Sequence, residues 1–197
     1  MSTFSLTASQ TVGPFFSPAL LREDARRNVL TQPETVGERI RIEGRVLDGD
    51  GVPVPDAMVE IWQANAYGRY NHPADRGSAA LDPSFIGFGR SGTAEDGSYW
   101  FETVKPGPVP FDGERLQAAH ICVTVFSRGL LNHLVTRLYF EDEPTNASDP
   151  VLHHVPEDRR ATLLANRVAR REPGETAVIY RFDIILQGAG ETVFFNV

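Results

Sequence analysis

The sequence predicts an all-β domain, a β-sandwich of mixed topology with an N-terminal arm and one short helix late in the chain, and three observations predict it. Apolar residues alternate with polar ones over short runs, the pattern of half-buried strands. Fourteen prolines and seventeen glycines are spread along the 197 residues instead of clustering, which suits a chain with many turns. Only one segment carries helix-start signals. The length, with 41% hydrophobic residues, suffices for one sizeable core and is short for two, so residues 1–197 are expected to form a single domain.

Taken in order, residues 1–37 have little periodicity and read as an arm that docks on the core or on a partner. The arm carries Ser9-Gln10-Thr11-Val12-Gly13-Pro14-Phe15-Phe16, in which Gly13 lets backbone approach a neighbour closely. From Glu38, Ile40, Ile42 and Val46 alternate with Arg39, Arg41, Glu43 and Arg45, and Asp48-Gly49-Asp50-Gly51 turns the chain. Ala57 to Ala64 is a second strand, with Glu60 and Trp62 on one face and Val59 and Ile61 on the other. Asn65 to His72 is a polar, aromatic loop, and Leu81-Asp82-Pro83 is a turn. Ile86 to Gly92 and Tyr99 to Val104 are strands joined through Glu95-Asp96-Gly97.

Pro106, Pro108 and Pro110 cannot donate to a ladder, so they make a stiff loop that holds Val109 in a fixed place. Ala119 to Ser127 and Leu134 to Phe140 are the two most apolar strands and are expected at the centre, with Arg128 to His133 turning between them. Pro156, Glu157 and Asp158 start the expected helix, which continues through Leu163, Leu164 and Val168, with Arg167, Arg170 and Arg171 near its end. Val178 to Leu186 and Thr192 to Phe195 close the chain as strands around Gly188-Ala189-Gly190.

A net charge of -7 and a pI near 5.2 repel phosphate backbones, and the arginines form no basic stripe, so nucleic acid is not an expected partner. One cysteine excludes an internal disulfide and fits a reducing cytoplasm. No basic segment leads into an apolar run, and none approaches the roughly eighteen apolar residues of a membrane span. A cytoplasmic chain with no membrane partner is expected. A small anionic ligand would have to be drawn by local arginines against the field of the whole chain, and Arg128 at the central turn is the first candidate.

His120-Ile121-Cys122 places two metal-ligating residue types on one face of a strand, a workable start for a chelate. Two ligands do not close a site. The neighbouring Val109, Leu116 and Gln117 add none. From the residues alone, His120 reads as a hydrogen-bonded core histidine and Cys122 as a small apolar filler. A zinc enzyme using His120, Cys122 and a distant third ligand stays open, as does Arg128 as a solvated turn residue.

Several stretches bear on the choice: SQTVGPFF at 9–16, VEIWQANAYGRYNH at 59–72, LDPSFIGFGR at 81–90, TVKPGP at 103–108, AHICVTVFSRG at 119–129, RLYFEDE at 137–143 and YRFDIILQGAGETVFFNV at 180–197. Together they resemble the intradiol ring-cleavage dioxygenases over nearly the whole length. The SQT-x-GP start and the GETVFF ending resemble the family's alpha-type chains. In the catalytic chains of that family, two tyrosines and two histidines hold iron(III), and phenolate ligands stabilise the ferric state. Laid on this sequence, the tyrosine positions fall on Gly77 and Val109 and the histidine positions on His120 and Cys122. An arginine expected just before them is Gln117, and a glutamine expected in the next strand is Arg137.

The resemblance therefore implies a chain with no catalytic residue and no cofactor of its own, paired with a beta chain that carries Fe(III). It further implies that Thr11, Gly13, Pro14 and Arg128 line the mouth of the partner's site. There 3,4-dihydroxybenzoate presents a carboxylate whose charge must be satisfied. A stand-alone binding or structural β-sandwich is the other reading that stays open.

Overall fold

The computed structural model describes residues 16–168 and 177–196, and among them the alternating segments form eleven strands. These are β1 (Arg39–Leu47), β2 (Met58–Trp62), β3 (Phe88–Gly92), β4 (Ser98–Val104), β5 (Val109–Pro110), β6 (Leu116–Gln117), β7 (His120–Phe126), β8 (Leu134–Phe140), β9 (Leu164–Val168), β10 (Val178–Arg181) and β11 (Ile184–Ile185). Nine strands join in one mixed sheet, in the order β11-β1-β10-β9-β8-β7-β2-β3, with β4 on the other edge of β1. The β5–β6 hairpin stands apart. The sheet curls until its ends nearly meet, so the architecture is all-β and close to a barrel.

Period-two patterning makes the core. Ile40, Ile42 and Val46 from β1, Val59 and Ile61 from β2, Phe101 from β4, Ile121, Val123 and Val125 from β7, and Leu138 and Phe140 from β8 all point inward into one cluster. Glu60 and Trp62 sit on the opposite, half-exposed face of β2, as the alternation requires. On β7 the alternation puts Ile121 and Val123 in the core and His120 and Cys122 on the other face. Central placement of β7 follows, since β2 and β8 pair with its two edges.

Three expectations change. The helix predicted from Pro156 is a short 3-10 helix, Glu157–Leu163, and Leu164, Asn166 and Val168 belong to β9. Pairing of β9 with both β8 and β10 overrides the helical pattern of charges, and Arg170 and Arg171 lie outside the described residues. The run Val178 to Leu186 is not one strand. It breaks at Phe182 and Asp183, where the Phe182 N–H donates to the Glu43 carbonyl (2.8 Å) and the Arg45 N–H to the Asp183 carboxylate (2.9 Å). Thr192 to Phe195 contributes an isolated bridge from Phe195 to Val135 in place of a strand. The arm adds a short helix, α1 (Phe16–Leu20), whose following Leu21 packs with Met58.

Candidate functional site

The outward face of β7 carries His120 and Cys122. His120 lies opposite Tyr139 on β8, and Cys122 lies between Arg137 on β8 and Trp62 on β2. Val109 pairs with Gln117 in the β5–β6 hairpin that leads into β7. Gly77 sits in the loop after β2, where its N–H donates to one Asp75 carboxylate oxygen (2.8 Å) while the Tyr70 N–H donates to the other (2.8 Å). Asp75 thus ties the Gly77 position to Tyr70, whose ring stacks on Trp62 at 5.7 Å.

His120 is buried, with Nδ1 2.8 Å from the Ala118 carbonyl oxygen. A carbonyl can only accept, so Nδ1 carries the proton and Nε2 the lone pair. Burial first, and then the neighbouring Arg137 cation, push the imidazole pKa down to about 4. Burial likewise holds the Tyr70 phenol well above its ordinary value, with the Cys122 thiol beside it adding to the effect. The Cys122 thiol is itself raised by burial, partly offset by Arg137. Cys122 therefore sits among polar groups and only half-buried, which corrects its reading as an apolar filler.

Arg137 and Gln117 touch. The Arg137 Nη1 donates to the Gln117 side-chain oxygen at 2.7 Å and more weakly to the Tyr139 hydroxyl at 3.4 Å. The resemblance implies arginine at 117 and glutamine at 137; here the amide stands at 117 and the guanidinium at 137, and the two form a donor–acceptor pair. The Tyr139 hydroxyl donates in turn to Asp149 (3.1 Å). Tyr70, Tyr139 and Asp149 were not singled out as site residues. Tyrosine in an aromatic loop or a central strand reads as scaffold, and nothing near Asp149 in sequence marks it.

The donor atoms at the four ligand positions are one imidazole and one thiol, with none from Gly77 or Val109. Among the described residues, no three His, Cys, Asp or Glu side chains come together as a metal site. Ferric iron wants hard anionic donors, whereas this cluster offers a neutral ring, a protonated phenol and a permanent cation. The residues do not fit the metal.

Arg128 lies at the opposite end of β7, just past Phe126. The strand from His120 to Phe126 spans about 20 Å at the usual rise, so one small ligand cannot touch both ends. The Arg128 Nε donates to the Asp56 carboxylate, and its side chain remains 59% exposed. Leu20, Leu21, Met58 and Phe126 form a small apolar cluster at this same end, so the described end of the arm arrives beside Arg128. Thr11, Gly13 and Pro14 lie outside the described residues.

The Dioxygenase family matches residues 11–188, and the alpha chain of protocatechuate 3,4-dioxygenase from Burkholderia cepacia is 45% identical over 100% of both chains. The chain belongs to the intradiol dioxygenase family. Within the intradiol dioxygenases, the beta chain of the Burkholderia cepacia protein is also similar, 40% identical over 87% of this chain and 74% of its own length. Among solved structures, the dioxygenase domain of a carbohydrate-binding fusion protein from Streptomyces sp. SirexAA-E superposes with a TM-score of 0.61 at 26% identity, covering 93% of this chain and 99% of that one. The family is one of iron-dependent oxidoreductases. Among the described residues, no helix is long and apolar enough to cross a membrane.

Proposed function

We propose that this chain is the alpha-type, non-catalytic subunit of a cytoplasmic protocatechuate 3,4-dioxygenase. In this reading it pairs with a beta chain that holds Fe(III) and lines the mouth of the partner's site. The assembled enzyme cleaves 3,4-dihydroxybenzoate with O2 to 3-carboxy-cis,cis-muconate in aromatic catabolism. The observation that carries the reading is the contrast between a retained scaffold and an erased ligand set. Trp62 and the KPGP loop match the family's motifs in the resemblance, while Gly77, Val109 and Cys122 stand where it implies three of the four ligands.

Arg128, with Thr11, Gly13 and Pro14, is assigned to the substrate's carboxylate and to the shape of the mouth. Its distance from His120 supports service to a second chain's site, and its exposed guanidinium keeps donors free beyond the Asp56 pair. Arg128→Ala in the assembled enzyme is expected to weaken use of protocatechuate more than of uncharged catechol, by about 1 to 3 kcal/mol in kcat/KM. Equal losses for the two substrates would remove the carboxylate role.

The deciding experiment takes the chain purified alone, then mixed with an iron-loaded beta-type chain, and measures metal content and ring cleavage. Absence of iron and activity alone, with a rise in activity on mixing, is the expected result. Stoichiometric metal and turnover by this chain alone would overturn the proposal.

A further inference from the structure

We propose that Arg137, with Tyr70 beside it, forms a binding site for a small carboxylate within this chain. A half-buried guanidinium ordinarily lies on a carboxylate, because its desolvation is otherwise uncompensated. Arg41 and Arg90 do so, Arg41 with Glu43 and Glu102 and Arg90 with Glu60, whereas the half-buried Arg39, Arg159 and Arg160 are satisfied by backbone carbonyls, and among the described residues Arg137 has neither. No carboxylate among the described residues pairs with Arg137. Among the described residues its hydrogen bonds go to the neutral Gln117 oxygen and the Tyr139 hydroxyl, and both lie on Nη1.

The Nε–H and Nη2–H edge is left without an acceptor among the described residues. Those two parallel donors are the fork that takes a carboxylate bidentately. Gln117 holds the fork in place, since its amide donates to the Pro110 carbonyl (3.1 Å) while its oxygen accepts from Nη1. The Tyr70 hydroxyl, which donates to the Cys122 thiol, lies on the same face, and Cys122 lies directly across the ladder from Arg137.

Asp149 favours the Arg137 cation through its charge but makes no ion pair with it. Its oxygens already accept from Ala118 N (2.7 Å), Val151 N (2.9 Å), Leu152 N (2.7 Å) and the Tyr139 hydroxyl (3.1 Å). The cluster thus offers a positive charge without an ion-pair partner and an open fork, with a hydroxyl beside it that can turn from Cys122, which together select an anion with two coplanar oxygens. The site belongs to this chain alone, so its failure would leave the assignment of Arg128 untouched.

The test titrates the full-length chain with sodium benzoate and with sodium acetate, followed by calorimetry and by NMR of the 13C-labelled acids, with benzamide as the uncharged control. Saturable one-to-one binding of at least one acid is expected, with benzamide weaker by about tenfold or more. Arg137→Gln should raise the dissociation constant by about tenfold and Tyr70→Phe by a few-fold, while Arg181→Gln, on exposed β10, should leave it unchanged. No saturable binding of either acid, or benzamide binding as well as benzoate, would overturn the site. Indifference to Arg137→Gln would do the same. Should that variant not fold, an unchanged affinity in Tyr70→Phe counts equally against it.

Discussion

His120 is neutral because water is kept from its ring and Arg137 stands beside it, and both effects oppose a second proton. Folding lowers its pKa from 6.5 to about 4. Between those values the unfolded chain takes the proton and the folded chain does not. The stability linked to this ring is thus fully present above about pH 6.5 and lost as pH falls toward 4, on the order of 3 kcal/mol in all. Urea denaturation at pH 7 and pH 4.5 should show His120→Gln losing about 2 to 3 kcal/mol less on acidification than the parent chain. Identical losses would mean that the ring titrates freely in the fold. At this scale the sequence showed which residue types had departed from the family pattern but not that they meet. Gln117 and Arg137 lie twenty positions apart, and their hydrogen bond exists only because β6 leads into β7 beside β8. Gln117→Arg should destabilise the chain by setting two guanidinium groups together, and adding Arg137→Gln should restore it. A coupling of about 1 to 3 kcal/mol is expected from the double-mutant cycle, whereas simple additivity would show that the exchange is not a matched pair.

Strands were legible wherever one face is buried, because alternation records the core directly: β1, β2, β7 and β8 appear within a residue or two of where the sequence put them. The late segment was misread because proline, first-turn acids and terminal arginines are local signals, while β9 exists through partners on β8 and β10 far along the chain. Gly44 is a further case in which meaning comes from a neighbour. A Cβ there would lie 1.8 Å from the Phe182 carbonyl oxygen, the same atom that accepts the Tyr99 hydroxyl at 2.6 Å. Glycine lets β1 approach the break between β10 and β11, and Tyr99 closes that corner with a buried hydrogen bond. Gly44→Ala is expected to cost on the order of 3 kcal/mol, since backbone must move. Tyr99→Phe should cost about 1 to 2 kcal/mol by leaving the carbonyl short of a donor. Chemical denaturation of both variants checks the order, and a Gly44→Ala chain as stable as the parent would contradict the close approach.

At the scale of the whole molecule, β7 carries two different ends. One end holds the positions that the resemblance sets against the family's ligands, with Arg137 among them, and the other holds Arg128 and the described end of the arm. The positions that the resemblance sets against ligands come from separate segments, namely the Gly77 loop, the β5–β6 hairpin and β7, so no single substitution supplies the whole donor set. Cys122→His would restore the second imidazole on the right face of β7. Val109 and Gly77 would still supply no phenolate, and the new ring would sit across the ladder from a guanidinium that repels a metal cation. The variant, folded and exposed to ferric salt, is therefore expected to bind no stoichiometric iron by metal analysis. Stoichiometric iron in Cys122→His would mean that donors outside these four positions complete a site, and Arg137 would then have to be displaced from the place that its contact with Gln117 gives it.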